Sequence, residues 1–253
     1  TLPELQEKET LITHADERVL ALERELYTGL VEGLRIAIPD LQAIARGIAV
    51  LDVSAALAEI AQTRDYVRPQ LNTSDVIIIR DGRHPVVEQG VSGNFVPNDT
   101  DLAGSGTQVM IITGANMAGK STYMRAVALI CIMAQAGSFV PARHASIGIL
   151  DRIFTRVGAF DDLASGQSTF FVEMLELANI LNNVTAKSLV ILDEIGRGTS
   201  SVDGCSIAKA VLEYLHGRSG AGPKTLFATH FHELVEVEGD LKRVKNYHFA
   251  VKE

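Results

Sequence analysis

The chain has 253 residues, of which 47% are hydrophobic, enough for one large domain or for one domain with a smaller module. Its formal net charge of −8 argues against a main role in gripping a nucleic-acid backbone, because such surfaces need clustered Lys and Arg. A short basic group at Lys242, Arg243 and Lys245 is more simply a solvated edge than a nucleic-acid patch.

The sequence pattern of residues 1–71 predicts a helical connector. Thr13 followed by Asp16 resembles a helix N-cap signal, and Pro39 interrupts the helical pattern before a second apolar helix over 41–63. These features predict an α-hairpin that packs or connects and carries no chemistry. Apolar residues recur every three or four positions along one face of its first helix: Ala15, Val19, Leu22, Leu26, Leu30 and Leu34.

Residues 72–253 alternate between predicted strands and predicted helices. Strand-like runs separated by helices favour an α/β fold with a mostly parallel sheet flanked by helices. Strands are predicted at 76–80, 109–113, 153–157, 189–193, 225–229 and 244–251. Helices are predicted at 121–136, 169–182, 206–216 and 231–237.

Cysteine usage and hydropathy suit a soluble, cytoplasmic protein. Cys131 and Cys205 stand far apart, which is typical of buried thiols and not of a disulfide framework or a zinc site. No amino-terminal stretch resembles a signal peptide, and no apolar run reaches the roughly 18 residues that a membrane span needs. We therefore expect no membrane contact.

The most informative segment is Gly-Ala-Asn-Met-Ala-Gly-Lys-Ser at 114–121, which fits the phosphate-binding pattern G-x-x-x-x-G-K-[ST]. A buried strand is predicted before it and a helix after it, so that loop amides and the first helix amides would point into one concavity. Lys120 would contact the β/γ-phosphates, and Ser121 would hold a Mg²⁺. The alternative is a glycine turn that precedes Lys-Ser by chance. The strand and helix predicted on its two sides count against this alternative.

Two carboxylates follow a second apolar run, Leu-Val-Ile-Leu at 189–192. In a P-loop protein this strand delivers Asp193 to the Mg²⁺ shell, and Glu194 can then hold and deprotonate the attacking water. The alternative is a solvated acidic pair at the end of a strand, which is common by itself.

Two further polar residues stand at predicted element ends. His230 follows the strand 225–229 and would reach the same sheet edge, although a lone His is usually a satisfied surface or core residue. We reject a metal pair with His232, because no Cys or carboxylate cluster completes it. Ser168 belongs to the small polar loop 161–169, which opens a helix, and suits either a helix N-cap or a phosphate contact.

Taken in chain order, these segments resemble the ATPase domain of the MutS family of DNA mismatch-repair proteins, relatives of the ABC ATPases. The resemblance implies an ABC-type P-loop fold over 72–253. It covers nearly the whole chain. The Gly-Arg-Gly-Thr-Ser run at 196–200 favours the mismatch-repair branch, and the general similarity indicates a bacterial protein. It rests on residues 82–88 (Gly-Arg-His-Pro-Val-Val-Glu), 113–122, 137–142, 161–173, 193–200 and 227–230.

The resemblance also implies roles for the site residues. Asn116 would lie near the γ-phosphate or the attacking water, and Phe95 would stack on adenine, although the residues alone favour an ordinary core Phe. Ser168 would reach the nucleotide of the partner subunit, and the loop 197–203 would couple the two composite sites of a homodimer. The phosphates of ATP or ADP would be wrapped by Gly114, Ala115, Asn116, Met117, Ala118, Gly119, Lys120, Ser121 and Thr122.

The sequence departs from the family pattern in places. Ala115 stands where Pro is usual, and Gln167 stands where Arg or Lys is common, which removes a positive charge near the trans site. The helix-turn-helix segment and the mismatch-reading domain of the family have no counterpart within 1–253. We therefore expect a fragment, located with the nucleoid, that couples the nucleotide state of a dimer to a DNA clamp. Mismatched DNA would be contacted by other domains, and downstream mismatch-repair proteins would be further partners.

Two other functions are weighed against this one. The first is a non-hydrolysing module that dimerises in response to nucleotide. The second, a transporter-type ABC subunit, fits poorly because the signature Leu-Ser-Gly-Gly-Gln is absent and 165–168 is only a partial echo of it.

Overall fold

The computed structural model describes residues 2–90, 95–103, 106–157, 168–217 and 222–250. The chain divides into two units, 1–56 and 57–253. The first unit is the larger part of one helix, and the second holds the end of that helix and both sheets. The predicted boundary between residues 71 and 72 stays a prediction. Among the described residues, no helix has both the length and the apolar character that crossing a membrane requires.

A single helix, α1 (Pro3–Thr63), takes the place of the predicted hairpin. The predicted break at Pro39 was wrong: a proline in a helix interior removes one hydrogen bond and costs about 3 kcal/mol, but long helical stretches on both sides keep their own bonds. The predicted cap at Thr13 was also wrong, because its hydroxyl donates to the carbonyl oxygen of Glu9 at 2.9 Å inside the helix. No residue of α1 is buried, so its apolar stripe is exposed.

The carboxyl end of α1 is closed by a left-handed residue. Asp65 has φ +52°, and the N–H of Tyr66 donates to the carbonyl oxygen of Ala61 at 2.9 Å. This six-to-one bond is the Schellman arrangement, which satisfies a carbonyl that the helix itself leaves unpaired.

Every strand and helix predicted after residue 71 has a counterpart in the predicted order, and elements at 70–72, 87–90, 98–103 and 144–148 were not predicted. The helix predicted at 206–216 begins at Ser201, and the last predicted helix is a 3₁₀ turn (His232–Glu236) followed by a short α-helix (Val237–Asp240). The elements are β1 (Gln70–Asn72), β2 (Val76–Gly82), α2 (Val87–Gly90), β3 (Asn98–Ala103), β4 (Val109–Gly114), α3 (Lys120–Gln135), β5 (His144–Gly148), β6 (Ile153–Arg156), α4 (Thr169–Asn183), β7 (Leu189–Asp193), α5 (Ser201–Gly217), β8 (Lys224–Ala228), α6 (Val237–Asp240) and β9 (Val244–Phe249).

Five strands form a parallel sheet in the order β6-β7-β8-β4-β9, which confirms the predicted α/β fold. Its central strands are buried on both faces, as the apolar runs of β4 and β7 predict, and β8 buries Lys224 and Thr225 along with its apolar residues. Alternate residues of each strand enter two cores: Ile112 and Ile191 pack with α3, whereas Ile111 and Leu192 pack with α4 and α5. The helices therefore cover both faces and leave the carboxyl edge of the sheet open.

A second, mixed sheet was not predicted. Its order is β1-β5-β2-β3, with β2 antiparallel to both of its neighbours. The predicted strand 76–80 belongs to this sheet and not to the parallel one. Strand β3, with the sequence Asn-Asp-Thr-Asp-Leu-Ala, carries too few apolar residues to produce a hydrophobic signal of its own.

Candidate active site

Three chain segments meet at the carboxyl edge of the parallel sheet, because β8 lies between β7 and β4. The N–H of Glu194 donates to the carbonyl oxygen of Ala228 at 2.9 Å, and the N–H of Thr229 donates to that of Ile112 at 3.1 Å. These bonds tie together the glycine loop after β4, the carboxylates after β7 and the Thr-His pair after β8.

The glycine loop at 114–119 has a backbone that suits anion binding. Gly114 has φ +139°, and a Cβ there would lie 2.6 Å from the carbonyl oxygen of Phe249, so only glycine fits. Met117 and Gly119 also have positive φ angles of +64° and +98°. Gly119 is the N-cap of α3 and has no side chain to cap the helix, so the first N–H groups of this 16-residue helix stay available to an anion.

Lys120 is only 5% exposed and folds back over this loop. Its Nζ donates to the carbonyl oxygens of Gly114 at 2.8 Å and Ala115 at 3.0 Å. The same atom lies 4.0 Å from Oε1 of Glu194. The structure thus brings the predicted phosphate-binding cation and the predicted base together.

Glu194 is held on both of its carboxylate oxygens. Oε1 contacts Nε2 of His230, and Oε2 forms an ion pair with Nη2 of Arg197 at 2.6 Å. The residue has φ +58°, a region that costs a non-glycine residue on the order of 1–3 kcal/mol and so needs support from its neighbours. Glu194, His230 and Arg197 share a cavity of about 170 Å³ with Asn116 and Thr229.

The contact of Arg197 with Glu194 was missed by the sequence analysis, which gave the loop 197–203 only a coupling role. The only signal was a cation three residues after the base, and such spacing brings side chains together only in a helix or a tight turn.

The surroundings of Asp193 test whether the residues of this site suit a Mg²⁺ ion. The residue is 7% exposed, and its Oδ1 is buried without a hydrogen-bond partner among the described residues. An unpartnered buried carboxylate oxygen is costly, and an oxygen ligand of this kind is what Mg²⁺ prefers. Ser121, in the first turn of α3, is the second candidate ligand. Within the described ranges, no three His, Cys, Asp or Glu side chains cluster as a metal site of their own.

Phe95 lines a second cavity, of about 250 Å³, beside the glycine loop. Met117, Gly119 and Thr122 line it from the loop and α3, and Tyr123 and Phe249 also line it. The rings of Tyr123 and Phe249 lie 5.1 Å apart between centroids. Phe95 is therefore half-buried at a cavity wall and not enclosed in either hydrophobic core.

Ser168 is not brought to these cavities. It is the exposed N-cap residue of α4, and its hydroxyl makes no capping hydrogen bond. Ser168 lines neither of the two cavities described above. Residues 161–167 of the predicted loop, including Gln167, lie outside the described residues.

Comparison with known proteins gives one family. Residues 110–253 match MutS domain V. The chain is 63% identical over 251 residues to the DNA mismatch repair protein MutS of Methanosarcina mazei, covering 99% of this chain and 28% of that protein. The corresponding protein of Methanococcoides burtonii is also 63% identical, with the same coverage. That of Lachnoclostridium phytofermentans is 56% identical over 254 residues, covering 100% of this chain and 27% of that protein.

Proposed function

The chain belongs to the MutS family, and on this premise we propose that it binds ATP with Mg²⁺ and hydrolyses it to ADP and phosphate. The observation that carries the proposal is the meeting of Lys120, Glu194 and His230 beside a glycine loop that ends in a helix N-terminus. The chain spans 28% of the length of its Methanosarcina mazei relative, so the activity of the whole protein is part of the proposal.

Nucleotide binding would rest on the glycine loop and its neighbours. The N–H groups of the loop and of the first turn of α3 would bind phosphate oxygens, and Lys120 would turn from the carbonyls of Gly114 and Ala115 toward the β/γ-phosphates. Asp193 and Ser121 would hold the Mg²⁺, which neutralises charge on those phosphates. Phe95 would stack on the adenine in the cavity beside the loop.

Hydrolysis would use Glu194 as the general base. Its carboxylate would accept a proton from the attacking water, while His230 and Arg197 fix the positions of both oxygens. Such positioning is favourable because the base must lie within hydrogen-bond reach of the water. Asn116 borders the same cavity and would orient the water or the γ-phosphate.

Ser168, an exposed N-cap residue whose side chain does not cap its helix, supports a homodimer with composite sites. Its hydroxyl makes no capping hydrogen bond to its own helix and would reach the nucleotide of the partner subunit. Since the relatives bear the name of DNA mismatch repair proteins, we propose that this dimer couples its nucleotide state to a DNA clamp. Mismatched DNA and downstream repair proteins would be bound through other parts of the whole protein. The bacterial origin and the cytoplasmic, nucleoid-associated location stay predictions.

Glu194→Gln tests the proposed reaction. The amide keeps the size of the side chain but cannot act as a base, so we expect nucleotide affinity within about twofold of wild type and turnover lowered by about 100-fold or more. Affinity is measured by titration with a fluorescent ATP analogue, and turnover by phosphate release with Mg²⁺. Glu213→Gln, an exposed glutamate on α5, is the matched control.

The outcomes separate the alternatives. Wild-type turnover in Glu194→Gln would show that Glu194 is not the base. Nucleotide binding without any turnover in the wild-type chain would favour the non-hydrolysing dimerisation module. Failure to bind nucleotide would contradict both functions.

A further inference from the structure

We propose that Glu173 on α4 is a positioning residue that holds the turn carrying Glu194 in the geometry that hydrolysis needs. This inference rests on the proposed ATPase function. It is carried by one buried hydrogen bond, by the backbone conformation that this bond supports and by a second contact of α4 with the same turn.

The hydrogen bond joins two groups that are both out of water. Glu173 is 5% exposed, and its Oε1 accepts the backbone N–H of Gly196 at 2.5 Å. A buried carboxylate is costly to retain unless it is hydrogen-bonded, and an apolar side chain would fill the position at lower cost. The carboxylate at this position therefore points to a role beyond filling the core.

The backbone that it supports is unusual. Gly196 has φ +86°, and Glu194, two residues earlier, has φ +58°. A Cβ at Gly196 would lie 2.6 Å from the carbonyl oxygen of Gly204, so the turn is pressed against the start of α5. If Glu173 no longer accepted the N–H of Gly196, this donor would be left buried and unpaired. The turn would then relax, and Glu194 would shift relative to His230.

A second contact joins α4 to the same turn. A Cβ at Gly198 would lie 2.9 Å from Cβ of Phe170, so the first turn of α4 packs directly on the backbone after Glu194. Ser168 is the N-cap of this helix. In the proposed homodimer, α4 thus connects Ser168, which would contact the nucleotide of the partner subunit, to the turn that carries the general base Glu194. The hydrogen bond between Glu173 and Gly196 makes this connection.

The test compares three variants in the complete chain. Glu173→Leu removes the acceptor and Glu173→Asp withdraws it by one methylene, so both should lower kcat by about 10-fold to 100-fold. Glu173→Gln keeps an acceptor oxygen at the same place and should stay within about threefold of wild type. The KM for ATP and the Kd for a fluorescent ATP analogue should change by less than about twofold in all three, because Glu173 is not in the binding loop. Glu213→Leu is the exposed control.

Each outcome decides the inference. Unchanged kcat in both Glu173→Leu and Glu173→Asp, beside an active wild type, overturns the positioning role and leaves the ATPase proposal standing. Loss of kcat together with equal losses of affinity and thermal stability overturns it in favour of a structural role. If Glu173→Leu does not fold, Glu173→Asp and Glu173→Gln decide alone. An inactive wild-type chain overturns the ATPase proposal itself.

Discussion

Two charged side chains of the site, those of Lys120 and Glu194, already have protein partners at the positions where a nucleotide would bind. Lys120 is paired with two loop carbonyls, and Glu194 is paired with Arg197 and His230. Phosphate oxygens could replace the carbonyl oxygens that Lys120 contacts, and a water could donate to the carboxylate of Glu194. Lys120 is buried, so its interactions are weakened less by salt than the pair of Glu194 with the exposed Arg197.

Lys120→Ala tests the binding role of the ammonium group. A hydrogen bond to a charged group contributes about 1.5–3 kcal/mol, so we expect the Kd for ATP to rise by about 10-fold to 100-fold. The measurement is a titration with a fluorescent ATP analogue. Lys209→Ala, an exposed residue of α5 whose Nζ lies 4.0 Å from Glu213, is the control. Equal affinity of Lys120→Ala and wild type would remove Lys120 from the site.

At the scale of elements, the strand–loop–helix of β4 and α3 and the turn after β7 are shaped by glycines with positive φ. Gly137 and Gly196 have nearly the same φ, +88° and +86°. A Cβ at Gly137 would meet nothing within 4 Å, whereas one at Gly196 would meet the carbonyl oxygen of Gly204 at 2.6 Å. An alanine at Gly137 would therefore introduce backbone strain alone, whereas an alanine at Gly196 would add a steric overlap.

Gly196→Ala and Gly137→Ala form a matched pair for this comparison. Gly137→Ala should lower the free energy of unfolding by about 1–2 kcal/mol, the cost of a left-handed alanine. Gly196→Ala adds a clash with backbone and should cost at least about 2 kcal/mol more. Urea unfolding followed by fluorescence or circular dichroism measures both. Equal costs at the two positions would mean that the turn after Glu194 can move aside freely.

Helix α1 shows how a local signal can mislead at this scale. Pro39 is a strong helix breaker by local rules, yet α1 continues through it to Thr63. A proline removes one bond from the helix, and whether the helix continues depends on the residues on both sides. The periodicity of the sequence predicted helix correctly on each side of Pro39 and predicted their continuity wrongly.

At the scale of the whole molecule, the proposed site is complete only when two chains meet. Ser168 is exposed and lines neither of the two cavities described above, and we propose that its hydroxyl acts on a nucleotide bound by the partner chain. The specific rate of hydrolysis should therefore rise with protein concentration as dimers form, which sedimentation on the same samples would follow.

Ser168→Ala tests this arrangement. We expect wild-type nucleotide affinity in the monomer, and turnover lowered by about 10-fold where the wild-type chain is dimeric, because a hydrogen bond to the γ-phosphate is lost. Ser206→Ala, an exposed serine of α5, is the control. Reduced turnover of Ser168→Ala in a proven monomer would contradict the trans role.

The sequence by itself determined the local features of this protein. Hydrophobic runs and helical spacing located β4, β7, β8 and α3, because buried parallel strands and amphipathic helices have distinct periods. The pattern of the glycine loop predicted Lys120 and Ser121, and the polar ends of the strands predicted Asp193, Glu194 and His230. All of these depend on residues that are close along the chain.

Only the tertiary structure decided which distant groups meet. Strand β3 of the mixed sheet and the contact of Glu173 with Gly196 had no local signal. Arg197 reaches Glu194 because the backbone of Glu194 turns into the left-handed region, where the hydrogen bond of its N–H to Ala228 holds it. Such contacts are made when strands pair and helices pack across the sheet, so their energy depends on the folded arrangement and not on the identity of neighbouring residues.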